Sequence, residues 1–224
     1  MAVVHGVPGE WARVKGTICG LWPLFLSVFA LGFSFALSLW VSAFALILFF
    51  AVLIASWCTL LKGMRHVERF YKGARGEEKV SSILEKLPES YHIFNDFKAL
   101  SHHIDHVVVG PAGVFSVETK FWSDKVTIEQ GHILVGGVLP SRSPIAQARR
   151  EAQAVKTYLK SLGWEGGVSP VLAFASNTFQ HVQEEMQGVV IINSSQLKEC
   201  FENAKTMIDS AQLQRILSLM ENNQ

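Results

Sequence analysis

From Leu21 to Leu61 the chain runs for 41 residues without a single Asp, Glu, Lys or Arg. One membrane crossing takes about 20 apolar residues, and a single straight helix of this length would extend about 60 Å, about twice the hydrocarbon thickness. Two helices with a tight turn fit better. The spans are Leu21–Ser38 and Ser42–Leu61, joined through Leu39-Trp40-Val41, a turn with no Gly, Pro or charge. Trp22, Trp40 and Trp57 stand where aromatic belts form. Arg13 and Lys15 precede the first span, and Lys62, Arg65, Arg69 and Lys72 follow the second. Both flanks are positive, and an even number of spans leaves both on the cytoplasmic side. The run is too long for a signal peptide and lacks a small-residue cleavage site. The expected organisation is a cytoplasmic segment over 1–20, a transmembrane hairpin over 21–61 and one domain over 62–224, in a multi-pass protein of the cell (inner) membrane. The competing reading is a helical hairpin buried in a soluble core. No charge within the spans marks a transport or ion path.

The 49% hydrophobic content reflects this run. Without Arg13, Lys15 and Glu10, the chain from Lys62 onward holds 18 basic and 18 acidic side chains. Formal neutrality excludes a strongly basic nucleic-acid footprint. The basic stretch Lys62–Lys79 reads as a membrane-surface signal, while Arg149-Arg150 could hold phosphates or simply solvate a helix. Cys19, Cys58 and Cys200 show neither CxxC nor Cys/His ligand spacing, so neither a disulfide framework nor a zinc site is expected. His103 and His106 fall on opposite faces of one strand and cannot jointly hold a metal.

The chemistry gathers around a short turn. Two β-branched runs, His103-Ile-Asp105-His-Val-Val-Val109 and Val114-Phe-Ser-Val-Glu118-Thr-Lys120, flank Gly110-Pro-Ala-Gly113 and predict a β-hairpin. If Val109 faces Val114, Asp105 faces Glu118, and alternation puts Asp105, Glu118 and Lys120 on one side. Opposed carboxylates repel at Cβ separations of roughly 4.5–5.5 Å, and a cation between them relieves that repulsion. Magnesium is the natural candidate, since it takes oxygen ligands from one or two carboxylates plus water. Lys120 adds a fixed positive charge suited to a phosphoryl transition state. The ordinary alternative is a solvated hairpin face with a Lys–carboxylate pair.

Two helices contribute further candidates. Over Met64–Leu87, Val80, Leu84 and Leu87 make an apolar stripe that Glu77 extends by one step. A carboxylate on that stripe wants a partner or a metal, unless it lies at a solvated helix end. Ser143-Pro144 opens a second helix with an N-cap and a first-turn Pro. Gln147 lies in its first turns, either turned toward the sheet to orient substrate or water, or simply solvated. Strands are predicted over Tyr91–Phe97, Lys125–Glu129, His132–Val135, Val168–Ala175 and Val189–Ile192, with closing helices over Gln196–Asn203 and Ala211–Met220. Together these describe an α/β domain with a mixed sheet flanked by helices.

The ordered set Gly73-Ala-Arg-Gly76-Glu77, Asn95-Asp96, Ile104-Asp105-His106-Val-Val-Val109, Gly110-Pro111-Ala-Gly113-Val114-Phe115, Glu118-Thr-Lys120 and Gln147 resembles the nuclease-related domain, NERD, over roughly Lys72 to Lys160. That family is similar to the PD-(D/E)xK restriction-endonuclease-like superfamily. The resemblance implies a restriction-endonuclease-like core, with Glu77, Asp105, Glu118 and Lys120 as its acidic and basic centre and Gln147 as the polar residue of the following helix. The expected function is magnesium-dependent (or manganese-dependent) hydrolysis of nucleic-acid phosphodiesters, DNA in preference to RNA, at the cytoplasmic membrane face. Glu77, Asp105 and Glu118 would hold the metal. The alternative is a catalytically inactive, membrane-tethered module of the same fold that binds nucleic acid or protein.

Overall fold

The computed structural model describes residues 1–38, 43–179 and 183–221. The chain divides into two compact units, one formed by Met1–Gly9 with Arg75–Gln224 and the other by Glu10–Ala74. In chain order the elements are β1 (Val3–His5), α1 (Glu10–Ser38), α2 (Ala43–Leu84), β2 (His92–Ala99), β3 (His102–Gly110), β4 (Gly113–Lys120), β5 (Val126–Glu129) and β6 (His132–Val135). There follow α3 (Pro144–Ser161), β7 (Val168–Phe174), β8 (Glu184–Met186), β9 (Val189–Asn193), α4 (Leu197–Glu202) and α5 (Ser210–Glu221).

Seven strands form one mixed sheet in the order β1-β2-β3-β4-β7-β9-β8, and β5 and β6 make a separate hairpin. β2, β3 and β4 are antiparallel neighbours, whereas β4, β7 and β9 run parallel. Alternation sorts the β-branched runs to two faces, as period-2 geometry requires. Val108, Val117, Val171 and Ala173 point to the side packed by Val80 and Leu84 of α2 and Phe201 of α4. Val107, Val109 and Val114 point to the other side, against Val155 and Leu159 of α3 and Ile216 and Met220 of α5. A third cluster joins Ile145 and Ala148 of α3 to Leu172, Phe174 and Ile191. The mixed sheet flanked by helices agrees with the α/β expectation.

The N-terminal residues were not expected to enter the sheet. Val3, Val4 and His5 pair in parallel with His92, Ile93 and Phe94, and the N–H groups of Ala2 and Val3 bond to Glu85 and Tyr91 carbonyls. Three residues are too few for periodicity to reveal a strand. The helix expected from Met64 also begins earlier, since α2 is continuous from Ala43.

In the unit Glu10–Ala74, one helix among the described residues, Glu10–Leu37, is long and apolar enough to cross a membrane, and such a helix near an N-terminus is also compatible with a signal sequence. The first expected span lies inside α1, and the expected turn at 39–41 lies outside the described residues. A transmembrane hairpin is therefore not established by these elements. Small residues bring α1 and α2 together. A Cβ at Gly16 would lie 2.8 Å from Phe70, one at Gly20 would overlap Val67, and one at Gly63 would lie 3.4 Å from Pro23.

Candidate active site

The β3–β4 register is the expected one: Val109 faces Val114, Val108 faces Phe115 and His106 faces Val117. The ladder ends there, and Asp105 and Glu118 occupy the next step. Beyond it the Thr119 N–H donates to Asp105 Oδ2 at 2.8 Å, so a side chain takes over from the backbone partner. On the other side of β3, pairing skips Asp96, which sits between the Asn95–His106 and Phe97–Ile104 pairs with φ of +50°. The sheet thus opens around Asp105 on both flanks, freeing polar groups that a regular ladder would occupy.

Glu118 is almost fully buried, with 2% of its surface exposed. Its Oε1 accepts from Lys120 Nζ at 2.5 Å, as expected for two side chains on one face of β4. Lys120 Nζ also donates to Gln147 Oε1 at 3.0 Å, and Gln147 Nε2 donates to Glu151 Oε1 at 2.9 Å. α3 lies on the sheet face that carries these side chains, so its first turns close the line Glu118–Lys120–Gln147–Glu151. Ser143 caps the helix through its hydroxyl, which accepts from the Ala146 N–H at 3.2 Å, with Pro144 in the first turn.

Glu77 arrives from α2, on the opposite sheet face. Gly76 permits the approach: a Cβ there would lie 2.7 Å from Phe121 Cβ, directly after Lys120. Burial lifts the Glu77 carboxyl to about 7, and the Asp96 and Glu118 charges push in the same direction. Asp105 is raised well above the usual carboxylate range by burial, then by Glu118, Glu77 and Glu151. Burial pulls the Lys120 ammonium down, but Glu118 outweighs it and the net displacement is upward. Lys120 therefore stays charged at neutral pH. All five residues singled out in the sequence come into electrostatic or hydrogen-bonded range.

Glu151 is the residue that sequence reasoning missed. It is buried on the apolar side of α3, with Ala148, Ala152 and Val155. Burial raises its carboxyl to about 9, and Glu118, by charge and by hydrogen bonding, adds to the rise. The reasoning that singled out Glu77, a carboxylate on an apolar stripe, would also have found it. His103 and His106 part as alternation requires. His103 Nδ1 approaches Asp96 at 3.4 Å, whereas buried His106 pairs with Asn95 Oδ1 at 2.7 Å and is driven by burial down to about 3.

A cation fits the donor chemistry. Among the described residues, Glu118 Oε2 and Glu151 Oε2 are buried without an N–H donor, and the two carboxyls hydrogen-bond to each other when Glu151 carries its proton. Such buried acceptors call for a proton, a water or a metal. Asp105, Glu118 and Glu77 offer oxygen donors only, the chemistry magnesium prefers. They interact through their charges, although among the described residues the trio of His, Cys, Asp or Glu side chains with all donor atoms within 4.8 Å lies elsewhere, at His5, His92 and Glu221.

Sequence comparison finds an uncharacterized protein of Bacillus anthracis, 39% identical over 62 residues. The aligned stretch covers 25% of this chain and 29% of that relative, so the chain spans under a third of the relative's length. No solved structure matches. The segment that holds Glu77, Asp105, Glu118, Lys120, Gln147 and Glu151, residues 72–175, matches the family described as the Nuclease-related domain, NERD.

Proposed function

We propose that this protein is a metal-dependent nuclease that hydrolyses nucleic-acid phosphodiesters, DNA in preference to RNA, and that residues 21–61 hold it at the cytoplasmic face of a membrane. The observation that carries the catalytic reading is Glu118. Its buried carboxylate is held between the Lys120 ammonium and the protonated Glu151 carboxyl, next to an Asp105 whose ionised form is disfavoured by neighbouring acids. Such a site gains free energy when a divalent cation joins it.

Asp105, Glu118 and Glu77 would hold magnesium, or manganese in its place. When bound, the metal supplies Lewis-acid polarisation and a more acidic water. The remaining work falls to the chain itself. Lys120 keeps its charge and donates toward negative charge that builds on the phosphate oxygens. Gln147, anchored between Lys120 and Glu151, fixes the ammonium and can present its amide to substrate or water. Glu151, neutral at physiological pH, lies beside Glu118 without adding a further charge.

Three observations support the membrane reading. α1 leaves Trp22, Phe25, Val28, Phe29 and Phe33 exposed, an apolar surface that water does not favour. Gly16, Gly20 and Gly63 bring α1 and α2 into antiparallel contact at Phe70, Val67 and Pro23, in that order, which favours a hairpin. The chain leaves its sheet-bearing unit at Gly9 and rejoins it at Arg75, so an even number of crossings is the topology compatible with β1. Cleavage after α1, as in a secreted precursor, would remove β1 from the sheet.

The test is cleavage of labelled DNA and RNA by the full chain in detergent, with magnesium, manganese or chelator. Metal-dependent cleavage lost in Glu118→Gln supports the assignment. Metal binding without cleavage of any substrate would favour a tethered, non-catalytic module. Cleavage at the parental rate by Glu118→Gln would exclude this site.

A further inference from the structure

We propose that His5, His92 and Glu221 form a zinc site that fastens the N-terminal strand to the body of the domain. The three ligands come from three elements distant in sequence. His5 ends β1, His92 begins β2 and Glu221 ends α5. Their donor atoms all lie within 4.8 Å of one another. His5 Nε2 stands 3.4 Å from His92 Nδ1 and 3.8 Å from Glu221 Oε1. Zinc bonds imidazole nitrogen and carboxylate oxygen at roughly 2.0–2.2 Å, so the edge of its tetrahedron is roughly 3.3–3.6 Å. The two separations from His5 are close to that edge, and closing the group onto a metal requires Glu221 to move inward. Two imidazoles and one carboxylate suit zinc rather than magnesium, which takes oxygen ligands.

The backbone explains why these side chains converge. In the β1–β2 register Val3 faces His92 and His5 faces Phe94, so period-2 alternation puts His5, His92 and Phe94 on one face. α5 packs on that face, where Met220 is buried in the same cluster as Phe94, and Glu221 follows it. The His5 ring lies flat on Phe94, with centroids 4.4 Å apart and planes 8° apart, which limits its rotation. A three-residue strand at the sheet edge has few backbone bonds to hold it and gains from a further tie. A metal clip supplies that tie. Among the described residues the group consists of these three, which leaves one tetrahedral position to water.

This inference is independent of the proposed nuclease centre, and the test separates the two. The full chain in detergent is titrated with zinc, then with cobalt, whose visible absorption reports tetrahedral coordination. Parent, His5→Gln, Glu221→Gln and Glu118→Gln are compared. Glu221→Gln changes a partly exposed helix end, so folding is expected to survive. The expected result is a zinc equivalent with a tetrahedral cobalt band that persists in Glu118→Gln, whatever metal the carboxylate centre takes up beside it. Affinity for that equivalent should fall at least tenfold in both His5→Gln and Glu221→Gln. Zinc should also slow amide exchange at residues 3–5 in the parent alone of these three proteins. A folded parent that binds no zinc overturns the proposal, as does binding unchanged in His5→Gln and Glu221→Gln. The trio would then be a His–His hydrogen bond with an adjacent carboxylate.

Discussion

The backbone N–H of Thr119 donates to Asp105 Oδ2 across 2.8 Å, just beyond the last paired residues of β3 and β4, His106 and Val117. Asp105 thus has a structural bond that an amide oxygen can keep and a charge that only a carboxylate supplies. Asp105→Asn is predicted to fold like the parent while losing metal-dependent cleavage by about 100-fold or more, the scale of losing a charged catalytic group. Circular dichroism and cleavage assays at saturating magnesium check this. Parental cleavage in a folded Asp105→Asn protein would remove Asp105 from the metal site.

The pH dependence of stability should be set by the buried acids. Their carboxyls ordinarily titrate near 4.5, whereas folding lifts Glu77 to about 7 and Glu151 to about 9, chiefly through burial. Between those limits the folded state holds protons that the unfolded state has released, so stability is greatest below about 4.5 and declines as pH rises toward 9. Glu151→Gln should be nearly neutral in stability below about pH 4.5, where the carboxyl is protonated in the folded and unfolded chain alike, and should remove progressively more of the loss as pH rises toward 9. Thermal unfolding without divalent metal reads this as a gain of a few °C at the alkaline end. Added magnesium should raise the parent's midpoint most at alkaline pH. A flat parental profile would contradict the burial of these charges.

The register that brings Asp105 beside Glu118 was legible because β-branched residues alternate without interruption on both sides of a Gly/Pro turn. The helix cap at Ser143-Pro144 was equally local. What escaped the sequence was non-local. β1 is three residues paired with a strand far along the chain, and β8 is a similarly short piece. Glu151 escaped because its polarity hid its place on the buried stripe of α3. His5, His92 and Glu221 lie too far apart for any spacing rule. Even the role of Gly76 depends on Phe121, a contact that only the folded chain reveals.

Gly76 should be intolerant of a side chain. An added Cβ would sit 2.7 Å from Phe121 Cβ, an atom fixed to its own backbone, so α2 must shift and carry Glu77 with it. Gly76→Ala is predicted to lose about 1–3 kcal/mol of stability, the scale of local overpacking, and to weaken magnesium binding. Gly73→Ala is the control, because a Cβ there meets nothing within 4 Å. Calorimetric titration and thermal unfolding of both variants measure the contrast. Equal behaviour of the two would mean that helix and strand yield without cost.

The position of β1 fixes what any membrane topology must satisfy. Val3–His5 pairs with His92–Phe94, so residues 1–9 and the domain from Arg75 onward must share one compartment. Epitopes at the two termini should therefore respond alike to protease. Both should be protected in right-side-out vesicles and both cleaved in inverted ones, if the domain faces the cytoplasm. Deleting residues 2–6 should expose the β2 edge and reduce thermal stability, since the Ala2–Glu85 and Val3–Tyr91 backbone bonds vanish with it. Opposite protection of the termini would require a single crossing, which is incompatible with β1 in the sheet. Joint accessibility in both vesicle types would mean that residues 21–61 do not cross the bilayer, leaving the exposed apolar face of α1 to be covered by protein.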